Sequence, residues 1–363
     1  MALTETQVID ALRLVQDPEL GKDVVTLGMI KELKVQDGQV ALTLELTTPA
    51  CPVREEFEET VRQTVTQIPG VTSVALNVTA QVRGRLASGE TLLPGVRNVV
   101  AIASGKGGVG KSTVSVNLAI ALRKLGATVG LMDADIYGPN VPLMMGVEGG
   151  QPDTIDGKLI PLENYGVKLM SMGFFIPEGQ AVVWRGPMIH GAIQQMLRDV
   201  DWGELDYLLI DLPPGTGDAS LSLAQLVPMT GCVIVLTPSE VALQDGAKSI
   251  AMFNKLNVPI LGMVENMSYL LPPDLKEPLD VFGRGASRKV ATKYAIEFLG
   301  EIPLDPAVRI GGDDGVPVVA GSPEGLPAKA FTQIAQRLAG KISVENLNRN
   351  ETIPINMFAA PKG

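Results

Sequence analysis

The ten residues Ser104-Gly105-Lys106-Gly107-Gly108-Val109-Gly110-Lys111-Ser112-Thr113 fit the pattern GxxxxGK followed by Ser or Thr, and a second lysine directly follows the first glycine. Glycines at these spacings let backbone N–H groups turn inward around phosphate oxygens, so the loop specifies a nucleoside triphosphate site. Lys111 reaches the β- and γ-phosphates, the Ser112 hydroxyl is placed to ligate Mg2+, and Gly105 through Thr113 form the nucleotide-binding set. The flanks fix the local fold: residues 99–103 read as a short buried strand, and residues 113–125 as an amphipathic helix stopped by Gly126. Strand, glycine loop and helix N-terminus in that order set the helix dipole behind the phosphates. The competing reading is a glycine-rich turn in a chain that has 39 glycines, and it leaves the strand and helix on either side unexplained.

With 363 residues, the chain exceeds a comfortable single domain. Residues 1–82 read as a small α+β unit: a helix over 7–14, a strand over 30–35, a turn at Asp37-Gly38, a strand over 40–46, a helix over 53–67 and a strand over 71–78. Residues 83–95 have little periodicity and form the linker. Residues 96–342 alternate strands (99–103, 128–132, 167–170, 207–210, 231–236 and 259–265) with helices, which predicts an α/β fold with a mostly parallel sheet and helices on both faces. Ligands then belong at the carboxyl ends of the strands. The tail over 343–363 is polar, contains Pro354 and Pro361, and is expected to be poorly ordered.

A formal net charge of -10 and a pI near 4.8 argue against broad binding to nucleic acid or an anionic membrane. No apolar run is long enough to span a bilayer. With Cys51 and Cys232 alone, no disulfide framework is implied, and the first residues lack a secretory pattern, so a cytoplasmic location is expected.

Two further motifs sit where strands end. Asp133-Ala134-Asp135 follows the second strand of the nucleotide domain; we assign Asp133 to the Mg2+ shell and Asp135 to orienting the attacking water on the γ-phosphate side. Asp211 ends an apolar strand and opens a proline-glycine loop, which fits the Walker B role of holding a Mg2+ ligand. The plainer alternatives are a solvent-facing acidic pair and a buried strand with an ordinary turn. Phosphoryl transfer to water needs added positive charge, and Lys106, placed so early in the loop, is suited to reach the phosphates of an opposite subunit. That reading predicts a homodimer with facing ATP sites, in which Lys106, Lys111 and Asp135 are the catalytic residues.

The glycine loop, Asp133-Ala134-Asp135-Ile136-Tyr137-Gly138-Pro139-Asn140, Trp184-Arg185-Gly186-Pro187-Met188, Asp211-Leu212-Pro213-Pro214-Gly215-Thr216-Gly217-Asp218 and Glu265-Asn266-Met267-Ser268 together resemble the deviant Walker A ATPases. Within these, the chain is similar to the Mrp/ApbC group of iron-sulfur cluster carriers over nearly its whole length. Asp17-Pro18-Glu19-Leu20, residues 25–30 and Thr47-Thr48-Pro49-Ala50-Cys51-Pro52 resemble the small iron-sulfur assembly domain fused ahead of such ATPases. The resemblance implies an Mg2+-dependent ATPase that passes clusters from assembly factors to acceptor apoproteins, and it implies that Asn266 with Pro303 and Asp305 contacts the adenine ring.

One departure matters. The group usually has a CxxC pair after Glu265-Asn266-Met267-Ser268-Tyr269, and two subunits would hold one cluster with four thiolates. Here the segment reads Leu270-Leu271-Pro272-Pro273-Asp274-Leu275, so the bridging site does not carry over. Cys232 reads as a small buried hydrophobe in its strand. Cys51 precedes a helix start whose dipole would lower its thiol pKa, which makes it a candidate iron-sulfur ligand beside the reading of a packed thiol. The lone His190 reads as structural. Three functions stay open at this point: a cluster-carrying ATPase, a MinD/ParA-like positioning ATPase, and an ATP-regulated assembly adaptor without its own cluster.

Overall fold

The computed structural model describes residues 3–84, 91–136, 138–175, 186–215, 217–272, 274–275 and 277–351. Tyr137, the Trp184-Arg185 pair, Thr216, Pro273 and the middle of the expected linker lie outside the described residues.

The amino-terminal unit opens with α1 (Glu5–Leu12), whose first turn is closed by a capping box between Thr4 and Gln7. A hairpin of β1 (Ile30–Gln36) and β2 (Gln39–Leu46) follows, turning through Asp37 and Gly38, both at positive φ as a tight two-residue turn requires. Then come α2 (Arg54–Thr66) and β3 (Ser73–Ala80), which pairs parallel to β2 and completes a three-stranded sheet. Alternation along β2 turns Val40, Leu42, Leu44 and Leu46 to one face, where Val8 and Leu12 of α1 and Phe57, Val61 and Val65 of α2 cover them.

The larger unit runs β4 (Val96–Ala103), α3 (Lys111–Lys124), β5 (Val129–Asp133), α4 (Val141–Met144), β6 (Thr154–Ile155), β7 (Lys158–Leu159), β8 (Leu162–Asn164), β9 (Val167–Ser171), α5 (Gly186–Arg198), β10 (Leu205–Asp211), α6 (Asp218–Leu226) and β11 (Gly231–Leu236). It continues with α7 (Glu240–Lys255), β12 (Ile260–Glu265), α8 (Ala286–Lys293), β13 (Phe298–Glu301), α9 (Pro306–Asp313), α10 (Val318–Gly321) and α11 (Leu326–Glu351). The sheet order is β13-β12-β11-β4-β10-β5-β9-β8, with every pairing parallel except β8 against β9. This is the expected mostly parallel α/β sheet, extended by two short edge strands whose three and four residues are too few to show a period in sequence. The central strands are buried on both faces: Val100 and Ile102 pack beneath α3 and α11, while Ala101 and Ala103 pack on the side of α5, α6 and α7.

The carboxyl end departs from expectation. Residues 343–351, expected to be poorly ordered, continue α11, and residues 352–363 lie outside the described residues. The polarity of this stretch is answered by buried partners. Asn346 is 3% exposed and donates to the Arg83 carbonyl at 2.7 Å and to Asn98 Oδ1 at 2.8 Å, while Leu347 packs on the amino-terminal core. Asn98 donates to the same Arg83 carbonyl, and Arg83 Nη2 donates to the Leu27 carbonyl, so α11 and β4 together pin the chain where it leaves the small unit.

Candidate functional site

At the carboxyl end of β4 the chain makes the glycine loop and enters α3. Gly110 is the N-cap at φ +79, and an added Cβ would lie 2.2 Å from Asn266 Nδ2, so both the conformation and the approach of Asn266 require glycine there. Asn266 Nδ2 donates to the Val109 carbonyl at 2.9 Å, tying the end of β12 to the loop.

The charged centre is compact. Lys111 Nζ lies 2.8 Å from Asp211 Oδ2 and 3.9 Å from Asp135 Oδ2, with Lys111 6% exposed and Asp211 fully buried. Ser112 Oγ donates to Asp211 Oδ2 at 2.6 Å, and Ser115 Oγ, one helical turn on from Lys111, donates to Oδ1 at 2.6 Å. A buried carboxylate of this kind is tolerable only because a lysine and two hydroxyls satisfy it. Asp133 lies deeper, with no exposed surface. Its oxygens accept from Ser171 Oγ at 3.0 Å and from the Asp135 backbone N–H at 3.1 Å, and burial, helped by the nearby Asp211 charge, pushes its carboxyl up to about 8. Asp135 in turn faces a cavity of about 550 Å3 lined by Asn140, Pro213, Pro214 and Ser220, where the two acidic loops leave the sheet.

Another cavity, about 200 Å3, brings together Thr113, Met144, Asn266, Met267, Pro303 and Asp305. Met267 holds a left-handed backbone at φ +56, an uncommon conformation for this residue type. The two loops lining the cavity are stitched by backbone bonds from Ser268 to Ile302 and from Leu304 to Tyr269. Beneath them the fully buried Glu265 accepts from Ser268 Oγ at 2.6 Å and from the backbone N–H groups of Gly285 and Ser287, both at 2.8 Å. Asp305 caps α9 through the Ala307 N–H.

Lys106 stands apart. It is half-buried, and among the described residues no acidic side chain pairs with its ammonium. The structure thus gathers Lys111, Ser112, Asp135 and Asp211 at one point, sets Thr113, Asn266, Pro303 and Asp305 around a second, and leaves Lys106 at the loop's edge. Ser115 and Ser171 were not singled out from the sequence, and Glu265 entered only as the first residue of the Glu265-Asn266-Met267-Ser268 motif. Ser115 carried one readable signal, its position four residues after Lys111 on the same helix face.

The expected lowering of the Cys51 thiol pKa is corrected. Its thiol is pushed up to about 11, first by burial and then by the Glu19 and Asp17 carboxylates, against a lowering from the Val53 backbone. The helix begins only at Arg54, and burial, with the Glu19 and Asp17 charges added, raises the thiol where the dipole was expected to lower it. Cys232 is fully buried in β11, and His190 lies half-buried on α5. Where a CxxC pair would stand, Leu270 and Leu279 form an antiparallel bridge, and Leu271, Leu275, Val281 and Phe282 are exposed. Among the described residues no group of three or more His, Cys, Asp or Glu side chains is placed to hold a metal ion. No described helix is long and apolar enough to cross a membrane.

Comparison with known proteins agrees with this geometry. Residues 95–339 match the ParA family, described as NUBPL iron-transfer P-loop NTPase, and residues 5–76 match the iron-sulfur cluster assembly protein family. The chain is 49% identical over 351 residues to the iron-sulfur cluster carrier protein of Synechocystis sp., covering 95% of this chain and 99% of that one. It is 50% identical over 351 residues to the iron-sulfur cluster carrier protein of Deinococcus radiodurans, covering 96% and 99%. Among solved structures, the nucleotide-binding protein of Archaeoglobus fulgidus in complex with ADP is similar at 42% identity and a TM-score of 0.55, covering 61% of this chain and 87% of that one. A phosphate loop and a nucleobase-sized cavity at the carboxyl edge of a parallel sheet, within a chain matched over most of its length by such relatives, place it: the chain belongs to the NUBPL iron-transfer P-loop NTPase family.

Proposed function

We propose that the protein is a homodimeric ATPase that carries an iron-sulfur cluster and hands it to acceptor apoproteins, with ATP turnover timing the release. The observation that carries this reading is the convergence of Lys111, Ser112, Asp135 and Asp211 within bonding distance at the mouth of the phosphate loop. The adenine ring fits the cavity between Asn266 and Pro303, and Gly105 to Thr113 wrap the phosphates. The donor set at Ser112 and Asp211 is all oxygen, which suits Mg2+. Ser112 would hold the cation and Asp211 its water shell; when bound, it neutralises charge on the β- and γ-phosphates.

Each residue then has a task. Lys111 leaves Asp211 for the phosphate oxygens. Asp135 orients the attacking water from the wall of the larger cavity, and Asp133, expected from the sequence in the Mg2+ shell, instead lies fully buried, accepts from Ser171 Oγ and the Asp135 backbone N–H, and fixes the backbone that presents Asp135. Lys106 of a second copy adds positive charge as the γ-phosphate departs. Phosphate release measured with and without Mg2+ tests this. Hydrolysis that persists in Lys106→Ala at the wild-type rate sinks the role of the second copy.

A second reading, an ATP-regulated adaptor with no cluster of its own, is favoured by one observation. The segment at 270–275 holds no thiol, and the thiol of Cys51 is held protonated. Cluster transfer to an apo-ferredoxin-type acceptor, followed anaerobically by absorption, separates the two: transfer supports the carrier, and its absence with normal ATP turnover supports the adaptor.

A further inference from the structure

We propose that the loop carrying Cys51 is coupled to the nucleotide site through the far ends of α3 and β10, so that nucleotide occupancy sets how accessible the Cys51 thiol is. The proposal rests on the reading above only for nucleotide binding at the phosphate loop, and needs no cluster.

Two elements hold the charged centre, and the same two elements end against this loop. The first, α3, begins with Lys111 and Ser112 and runs fourteen residues, about 21 Å of helix. Just past its end, Gly126 turns at φ +102, and a Cβ built there would lie 3.5 Å from Pro49. The second, β10, ends at Asp211; four residues earlier, about 13 Å back along the strand, Tyr207 is fully buried and its hydroxyl meets Thr48 Oγ1 at 3.2 Å. Thr48 is 1% exposed, and its Oγ1 also accepts the backbone N–H of Ala50. Ala50 has no exposed surface and belongs to the core beneath α3 and α11 rather than to the core of its own small unit. The residue directly before Cys51 is therefore locked into the nucleotide-binding unit, while Cys51 packs on the amino-terminal core and remains half-buried.

A third element closes the circuit. α11 packs along α3 through Phe331, Leu338 and Ile342, and at Gly340 it leaves room for the Glu19 carboxylate, whose oxygens lie 2.4 and 2.6 Å from where a Cβ would stand. Glu19 is one of the charges that hold the Cys51 thiol up. α3 is buried from Val114 to Leu122, so a shift at its first turn is passed along the helix rather than absorbed by loose side chains. When phosphates draw Lys111 and Ser112 away from Asp211, the start of α3 and the end of β10 change partners together. Their opposite ends bracket residues 48–50.

The test is alkylation of Cys51 by iodoacetamide in the full chain, assigned by peptide mass spectrometry, without nucleotide and with MgATP, while calorimetry measures ATP binding to the same sample. MgATP is expected to change the Cys51 rate by about fivefold or more, the lower end of usual coupling energies, and Cys51-alkylated protein should bind ATP with altered affinity. Tyr207→Phe and Thr48→Val, which keep the packed volume and remove the hydroxyl link, should each bring the rate ratio toward one with ATP still bound. An unchanged Cys51 rate while calorimetry registers ATP binding overturns the coupling and leaves the nucleotide site standing. No heat of ATP binding overturns both.

Discussion

The two ends of the parallel sheet are built from opposite chemistry. At the carboxyl ends of β4, β5 and β10, one lysine and three carboxylates are crowded together, and two of those carboxylates have no exposed surface. At the amino ends, the buried hydrogen bonds that join the small unit include neutral pairs: Thr48 to Tyr207, and Asn98 and Asn346 to the Arg83 carbonyl. Neutral polar groups cost little to bury once paired, so they hold two units in fixed register. Buried charges cost far more to desolvate, and such a cluster is worth keeping where a polyanion and a cation will replace the internal pairs. The carboxyl end is thus built to exchange its charged partners for a ligand, and the amino end to hold the two units together.

Breaking the charged end should have the largest effect. Lys111→Ala should lower ATP turnover by at least about a thousandfold, and Lys106→Ala should do the same while MgATP binding stays measurable, both by phosphate release with parallel binding isotherms. Ser115→Ala sharpens the contrast, since it removes one of two hydroxyl donors to Asp211 and leaves Lys111 in place. Turnover should fall about tenfold and the Mg2+ concentration for half-maximal rate should rise. At the neutral end, Asn346→Ala should leave turnover unchanged and cost about 1 kcal/mol in urea unfolding.

The smallest effect concerns Glu19. Its carboxyl is raised from 4.5 to about 7, by burial first and then by Asp17, so the fold favours the protonated form. This contribution is fully present below pH 4.5, where folded and unfolded chains both keep the proton, and it is lost as pH rises through about 7. Groups facing Glu19 include Asp17, the Cys51 thiol and the Tyr207 hydroxyl. Wild type should lose stability relative to Glu19→Gln across that window, and parallel unfolding curves for the pair would contradict the assignment.

Legibility in the sequence followed the same divide. The phosphate loop could be read because glycine and lysine at fixed spacing act locally, and Asp211 because an apolar strand that ends in a carboxylate is a local pattern as well. Asn266, Pro303 and Asp305 came together only through the family resemblance, since they meet across two separate loops. Ser171 was silent because its partner, Asp133, is reached across a strand pairing. The order of residues 343–351 was missed because Asn346 finds its partners in the linker and in β4, a pairing no local window contains. Cys51 was misread for a related reason: the helix dipole is a local effect, while burial and the Glu19 charge come from the fold.

Whether this ATPase holds a cluster is tested by anaerobic reconstitution with iron and sulfide on wild type and Cys51→Ala. Iron and acid-labile sulfide are counted per chain, the absorption spectrum is recorded, and ATP turnover is measured on the same samples. A carrier is expected to hold a stoichiometric cluster in wild type with ATP turnover in both proteins, and a cluster retained in Cys51→Ala assigns its ligands elsewhere. No cluster in either protein, with turnover intact, would contradict the carrier and leave the ATP-regulated adaptor.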